Sequence, residues 1–387
     1  MRIRGVHRRL LSLGLLVLFL TACGKEQAEQ KDSLPPARQI SEKSDYSDEI
    51  TVWTDSLLNT MDTVELVGQL VMPSSFGQAD EYTGNRLVRL VRERKIGGVL
   101  WLKGDTLSVK ILCDTLQKAS QIPMFMAIDA EWGLAMRLEG AREYPKNYRL
   151  GSVADDTIYD YGREIGKDSR EIGLNVVFAP VMDVSGGKGT PMHSRSYGEE
   201  AGRVSDKGKA FARGLKDGGV MPVAKHFPGI GRATEDSHKS LPIVDEDRSI
   251  VYARDISPFK EYIREGIGGI MTGHVAVKAL DSVVRPATLS PVILTDLLRN
   301  ELGFKGIIFS DAMNMKGITR GEKSPYVEAL KAGVDVLVVP PDTEDAIEEI
   351  MRALRAGELS QDEVRAKVRN ILLYKFSFRQ SADYRNR

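Results

Sequence analysis

From Val64 onward the chain alternates short, unbroken apolar or β-branched runs with longer segments of helical period, and this alternation restricts its fold more than any other feature. Eight runs recur: LVGQLVM (66–72), IGGVLWL (96–102), IPMFMAID (122–129), NVVFAPVMDV (175–184), MPVAKHF (221–227), GGIMTGHV (268–275), GIIFSDAM (306–313) and DVLVVP (335–340). A strand with one wet face alternates polar and apolar residues, whereas a strand covered on both faces is apolar throughout. The runs therefore predict a parallel sheet sandwiched by helices. Eight strand–helix units predict an α/β fold of the (β/α)8, TIM-like barrel type, as a single domain over 48–378. A doubly wound open sheet is the alternative that the same pattern permits.

The intervening segments support helices over 155–173, 202–219 and 290–303. In the last of these Ser290 stands as N-cap, Pro291 at the first helical position and Gly303 as the stop. A closing helix over 361–376 places Val364, Val368, Ile371 and Leu372 on one stripe.

A barrel carries its functional groups where strands end, at the C-terminal rim. Asp129 closes the third run, Asp183 lies near the end of the fourth, and Lys225 with His226 ends the fifth. His274 ends the sixth, and Asp311 follows the apolar part of the seventh. Arg137 and Arg195 lie just beyond strand ends, where a guanidinium can fork onto hydroxyls or a carboxylate. Each has a plainer reading. Asp311 can cap a helix, Lys225 and His226 can form a buried ion pair with a neighbouring strand, and the arginines can be ordinary surface residues. In the loop KHFPGIGRATEDSH (225–238), Asp236 stands two residues before His238. An imidazole titrates near neutrality and a carboxylate beside it fixes its tautomer, so the pair suits proton transfer; an exposed loop histidine is the alternative. His193, His226, His238 and His274 have no HxH or HxxxH spacing, so no metal site is expected. GGKGT (186–190) lacks the ending of a phosphate-binding loop, and no nucleotide cofactor is expected either.

The N-terminus reads as an export signal over 1–22: Arg2, Arg4, Arg8 and Arg9, then LLSLGLLVLFL, then LTAC ending at Cys23. LTAC is similar to the lipobox of bacterial lipoproteins, which implies lipidation of Cys23 and a membrane tether in the cell envelope, periplasmic or at the outer membrane. Residues 23–47 are polar and charged, as in a flexible linker, and 379–387 form a polar tail. Cys113 is the other of the two cysteines, so the mature chain is expected to hold together without an internal disulfide. Acidic and basic residues balance at 54 each with no basic run past the signal, which argues against nucleic acid as a partner.

KHFPGIGRATEDSH continuing into KSLP, with FSDAMNM, VFAPVMDV, RSYG, MTGHV and PATLSP, resembles the β-N-acetylhexosaminidases of glycoside hydrolase family 3, over nearly all of 64–376. The resemblance implies a retaining exo-β-N-acetylglucosaminidase that works through a covalent glycosyl-enzyme and needs no cofactor. Its implied substrates are peptidoglycan fragments (muropeptides) or related amino-sugar oligosaccharides. By the same resemblance Asp311 is the nucleophile, and His238 assisted by Asp236 is the acid and then the base. Asp129, Arg137, Arg195, Lys225 and His226 hold the terminal sugar. Gly229 and Gly231 are expected to let the donor loop swing in after the substrate. The chain departs from the usual pattern at Ile230, where KHFPGHG is common, which removes a polar group from the loop and is expected to alter its closed geometry, and at Ala130 and Trp132, where DQEGG is common, which is expected to change the sugar shelf. The rivals are a family 3 β-glucosidase or β-xylosidase, whose acid/base often comes from a second domain for which this chain leaves no room, and a catalytically silent glycan-binding lipoprotein.

Overall fold

The computed structural model describes residues 42–77, 81–233, 235, 240–318 and 324–379. The signal at 1–22, Cys23, most of the linker, Asp236, His238 and the tail from 380 lie outside the described residues. The described residues from Tyr46 onward form one compact unit. A helix, Glu42–Thr60, begins inside the stretch expected to be linker. It forms there because its later turns are anchored: Thr54 and Leu58 are buried, and Trp53 packs edge-on against Phe376 at 5.4 Å.

The first apolar run splits between two structures. Asp62 accepts the Glu65 N–H at 2.9 Å and Glu65 accepts the Asp62 N–H at 3.0 Å, a reciprocal cap that starts a helix over Thr63–Gln69. The strand expected over 66–72 is thus confined to Val71–Met72, with a second piece, Ser74–Ser75, beyond Pro73. The second to eighth runs each carry a strand, most of them shorter than the run. In order these are Gly98–Trp101, Phe125–Ile128, Val176–Val177, Met221–Phe227, Gly269–Thr272, Ile308–Phe309 and Leu337–Val338. The fourth is the most reduced; after Val177 single bonds continue, Phe178 N–H to Ile128 O at 2.8 Å and Val223 N–H to Ala179 O at 2.9 Å, before Val181 bridges Lys225. Pro180 has no N–H to offer between them.

Ser74–Ser75 and the second to seventh strands form a seven-stranded sheet in chain order, with every pairing parallel. A doubly wound sheet reverses its order at a switch point, and this sheet does not. Val71–Met72 pairs in parallel with the eighth strand, and Phe309 of the seventh bridges Val336. The architecture is α/β and TIM-like.

Strand pleating decides what each side chain meets. Leu100, Phe125 and Ala127 join one buried cluster, while their neighbours Val99, Trp101, Met126 and Ile128 join a second. Period-two alternation is therefore present, but both faces are apolar, which is why the runs look continuous. Ser290 caps as expected, accepting the Ile293 N–H at 3.2 Å ahead of a π-type helix over Val292–Glu301. The last helix, Gln361–Arg379, buries Val364, Val368, Ile371 and Leu372 completely, and with them Lys375. Its ammonium donates to Gln69 Oε1 at 2.7 Å and Gly97 O at 2.6 Å and lies 4.9 Å from the Phe125 ring centre.

Candidate active site

Parallel strands deliver their C-terminal ends to one rim, and the residues singled out at strand ends meet there. Asp129, Arg137, Arg195, Lys225, His226 and Asp311 all line a single cavity of about 450 Å³, together with apolar walls that include Phe178 and Met271. Ala233 and Glu235, just before Asp236, line it too.

Lys225 organises one side of the cavity. Its side chain is only 2% exposed, and its ammonium donates to Asp129 Oδ1 at 2.6 Å and pairs with Glu131 Oε1 at 2.8 Å. Arg137 holds the other oxygen of Asp129 at 2.7 Å. Arg195 forks onto Glu131, Nε to Oε2 at 2.9 Å and Nη2 to Oε1 at 2.5 Å. Three cations thus share two carboxylates. Burial pushes both carboxyls up, but Lys225 with Arg137, or with Arg195, outweighs it, so Asp129 and Glu131 lie below the ordinary carboxylate range. Burial lowers the Lys225 ammonium, and the two carboxylates more than restore it. Lys225 thus forms a buried ion pair, though with the end of the third strand rather than of an adjoining one, and it also lines the cavity.

Asp183, fully buried, fixes His226. Its Oδ2 accepts the His226 backbone N–H at 3.1 Å and meets Nδ1 at 2.8 Å, while Oδ1 accepts the Ile230 N–H at 2.8 Å. Arg195 approaches His226 Nε2 at 3.3 Å and has only protons to offer, so Nε2 accepts and Nδ1 carries the proton to Asp183. The Lys225–His226 peptide is cis, and both side chains line the cavity.

Asp311 stands two residues past the seventh strand, partly buried, with Oδ1 accepting the Ala312 N–H at 2.8 Å. Burial raises its carboxyl; the imidazoles of His226 and His274, the Ala312 N–H and Lys225 bring it below the ordinary value. A partly buried carboxylate kept ionised at the rim of a polar cavity can attack an electrophilic carbon or balance a developing positive charge.

Two expectations change. A Cβ on Gly229 would lie 2.8 Å from Asp255 Cβ, and one on Gly231 would lie 1.8 Å from Val184 O. These glycines permit close packing, and the segment up to Gly231, whose carbonyl accepts the Gly186 N–H at 2.8 Å, is tied down rather than free to swing. Ala130 is buried in the second cluster, and Trp132 faces Lys146 at 5.4 Å; neither lines the cavity, whereas Ile230 does. Glu131 and Asp183 hold the site together; Asp183 was picked out only by its place near a strand end, with no role given, and Glu131 was not picked out. A carboxylate two residues after Asp129 and one at a strand end were the available signals, but their partners lie 64 and 43 residues away in sequence.

Residues 63–373 match the family described as the glycosyl hydrolase family 3 N-terminal domain. The chain is 32% identical over 333 residues to beta-hexosaminidase A of Pseudoalteromonas piscicida, covering 76% of this chain and 56% of that protein. It is 30% identical over 275 residues to a beta-hexosaminidase of Methylobacillus flagellatus, covering 67% and 78% respectively. Among solved structures, a family 3 beta-N-acetylglucosaminidase from Paenibacillus superimposes with a TM-score of 0.77 at 32% identity, covering 82% of this chain and 63% of that one. The chain therefore spans little more than half the length of the Pseudoalteromonas relative and under two thirds of the Paenibacillus structure.

Proposed function

The chain belongs to glycosyl hydrolase family 3, and from that premise we propose that it is a retaining exo-β-N-acetylglucosaminidase acting on peptidoglycan fragments or related amino-sugar oligosaccharides. One observation carries the reading: Asp129, Arg137, Arg195, Lys225, His226 and Asp311, far apart in sequence, line one cavity whose volume falls in the usual small-ligand range of about 300–1,000 Å³. The beta-hexosaminidase relatives support the amino-sugar class.

In this mechanism Asp311 attacks the anomeric carbon as the leaving oxygen takes a proton from His238, and water returned to the same face completes hydrolysis with retention. The ionised state of Asp311 favours attack. Asp129 and Arg137, already paired at 2.7 Å, and Lys225 offer a fixed array to ring hydroxyls, so little ordering is left for the substrate to impose. His238 and Asp236 enter through the resemblance alone; Ala233 and Glu235, which precede them in sequence, line the cavity. The pairing of the first with the eighth strand and the bridge from Phe309 to Val336 support closure of the sheet into a (β/α)8 barrel. LTAC supports an envelope lipoprotein held through Cys23.

The test is hydrolysis of an aryl β-N-acetylglucosaminide by the wild type, Asp311→Asn and His238→Ala, beside the corresponding glucoside and xyloside. The reading predicts a strong 2-acetamido preference and loss of turnover in both variants. Equal turnover in all three proteins overturns it. Incorporation of labelled fatty acid that Cys23→Ser abolishes tests the anchor.

A further inference from the structure

His274 ends the sixth apolar run and is 1% exposed, behind Asp311 rather than among the cavity-lining side chains. Its Nε2 lies 3.0 Å from the Ala312 carbonyl, and its Nδ1 lies 2.8 Å from Thr288 Oγ1. A carbonyl oxygen only accepts, so Nε2 carries a proton and donates it to Ala312. The Nδ1 partner of His274, the Thr288 hydroxyl, also meets the Thr272 hydroxyl and lies 3.3 Å from the Gly273 carbonyl. The chain of bonds runs from the sixth strand through Thr272, Thr288 and His274 to Ala312. Ala312 then donates its own N–H to Asp311 Oδ1 at 2.8 Å.

No feature of the apolar packing calls for an imidazole here. A leucine or methionine would fill the volume, but neither could tether the Ala312 carbonyl. The turn has two further anchors: the Met315 N–H donates to the same Ala312 carbonyl at 3.1 Å, closing the turn on itself, and the Met313 N–H donates to Val338 O at 2.8 Å, holding it to the eighth strand. His274 adds the bond that ties the Ala312 carbonyl to the end of the sixth strand.

We propose that His274 is a positioning residue for Asp311: its Nε2–H fixes Ala312, whose N–H sets the carboxylate's orientation toward the reacting carbon. This rests on the reading of Asp311 as nucleophile. Misplacement of a reacting group by about 1 Å costs on the order of a hundredfold in rate, which sets the scale of the expected effect.

The experiment compares the wild type, His274→Met, His274→Gln, Thr288→Val and Asp311→Asn in steady-state hydrolysis of an aryl β-N-acetylglucosaminide, with pH profiles and melting temperatures. His274→Met is expected to lose about a hundredfold in kcat with KM within about threefold, because ground-state sugar contacts are untouched. The acid limb of its kcat/KM profile is expected to move to higher pH, since the Ala312 N–H that helps keep Asp311 ionised is no longer held in place. Glutamine places an amide N–H near the position of Nε2, so His274→Gln should recover about tenfold of that loss even if its melting temperature falls as far. Thr288→Val, nearly isosteric, should lose about tenfold in kcat and stands in should His274→Met fail to fold. A kcat within about threefold of wild type in a folded His274→Met or in Thr288→Val, or no recovery in His274→Gln, overturns the proposal. Wild-type turnover by Asp311→Asn would instead remove the reading of Asp311 itself.

Discussion

Replacing Lys225 by methionine removes one cation from between two buried carboxylates and keeps most of the side chain's volume. The ammonium lies 2.6 Å from Asp129 and 2.8 Å from Glu131. At an effective dielectric near 20, each contact represents about 6 kcal/mol of Coulomb attraction, most of it offset by the desolvation of the ions. Removing one partner of a buried pair typically costs about 3–5 kcal/mol, because a charge is left uncompensated. Here each carboxylate keeps a guanidinium, Arg137 on Asp129 and Arg195 on Glu131, so the low end applies and Lys225→Met is expected to cost about 3 kcal/mol. Adding Asp129→Asn should restore about 1–2 kcal/mol by removing one stranded charge. Urea denaturation at pH 7 measures both. The pH dependence follows from the signs. Asp129 and Glu131 are lowered in the folded state, so their contribution is complete above the unfolded values near 4 and is lost as pH falls through the folded ones. Lys225→Met should therefore narrow its gap to the wild type as pH falls below about 4. A loss under about 1 kcal/mol at pH 7, or a double variant less stable than the single one, would refute the idea that this ammonium compensates both carboxylates.

Gly231→Ala would set a methyl 1.8 Å from Val184 O and should lower the melting temperature sharply, by more than about 3 kcal/mol in stability, while Gly202→Ala, with open space around it in a helix, should gain about 0.5–1 kcal/mol. Burial lowers the Lys375 ammonium to about 7, so between pH 7 and 10 the unfolded chain binds more protons and stability should rise with pH; Lys375→Met should flatten that slope in urea titrations at pH 6.5 and 9, and an unchanged slope would assign it to other groups. Asp183→Asn puts an amide where three N–H groups converge, so kcat/KM should fall about a hundredfold with a loss of about 2–4 kcal/mol in stability; a wild-type kcat/KM would mean that His226 needs no such support.

Much of this molecule is legible in its sequence, for identifiable reasons. Both faces of the strands are covered, so unbroken apolar runs mark them, and ionisable residues at their ends mark the rim. Leu66 to Gln69 mislead because a short apolar run fits a buried helix as well as a strand; the Asp62 and Glu65 spacing was the signal that decides, and it lies outside the run. Asp129, Asp183, Lys225 and Asp311 announce themselves by position, but the partners that Asp183 and Glu131 hold are distant in sequence, and no local pattern encodes such pairs. Gly229 and Gly231 look like freedom in a sequence and prove to be contact, since only coordinates show Val184 and Asp255 lying against them.

The most direct test is covalent trapping. Incubation with a 5-fluoro glycosyl fluoride of N-acetylglucosamine, which slows the second step more than the first, followed by proteolysis and mass spectrometry, locates the bond that forms. A fluorosugar attached to Asp311, with activity returning as it is released, is the predicted result. A label on another residue, or none while the glycoside is still hydrolysed with retention, would contradict a carboxylate nucleophile at this position and point to attack by the substrate's own acetamido group.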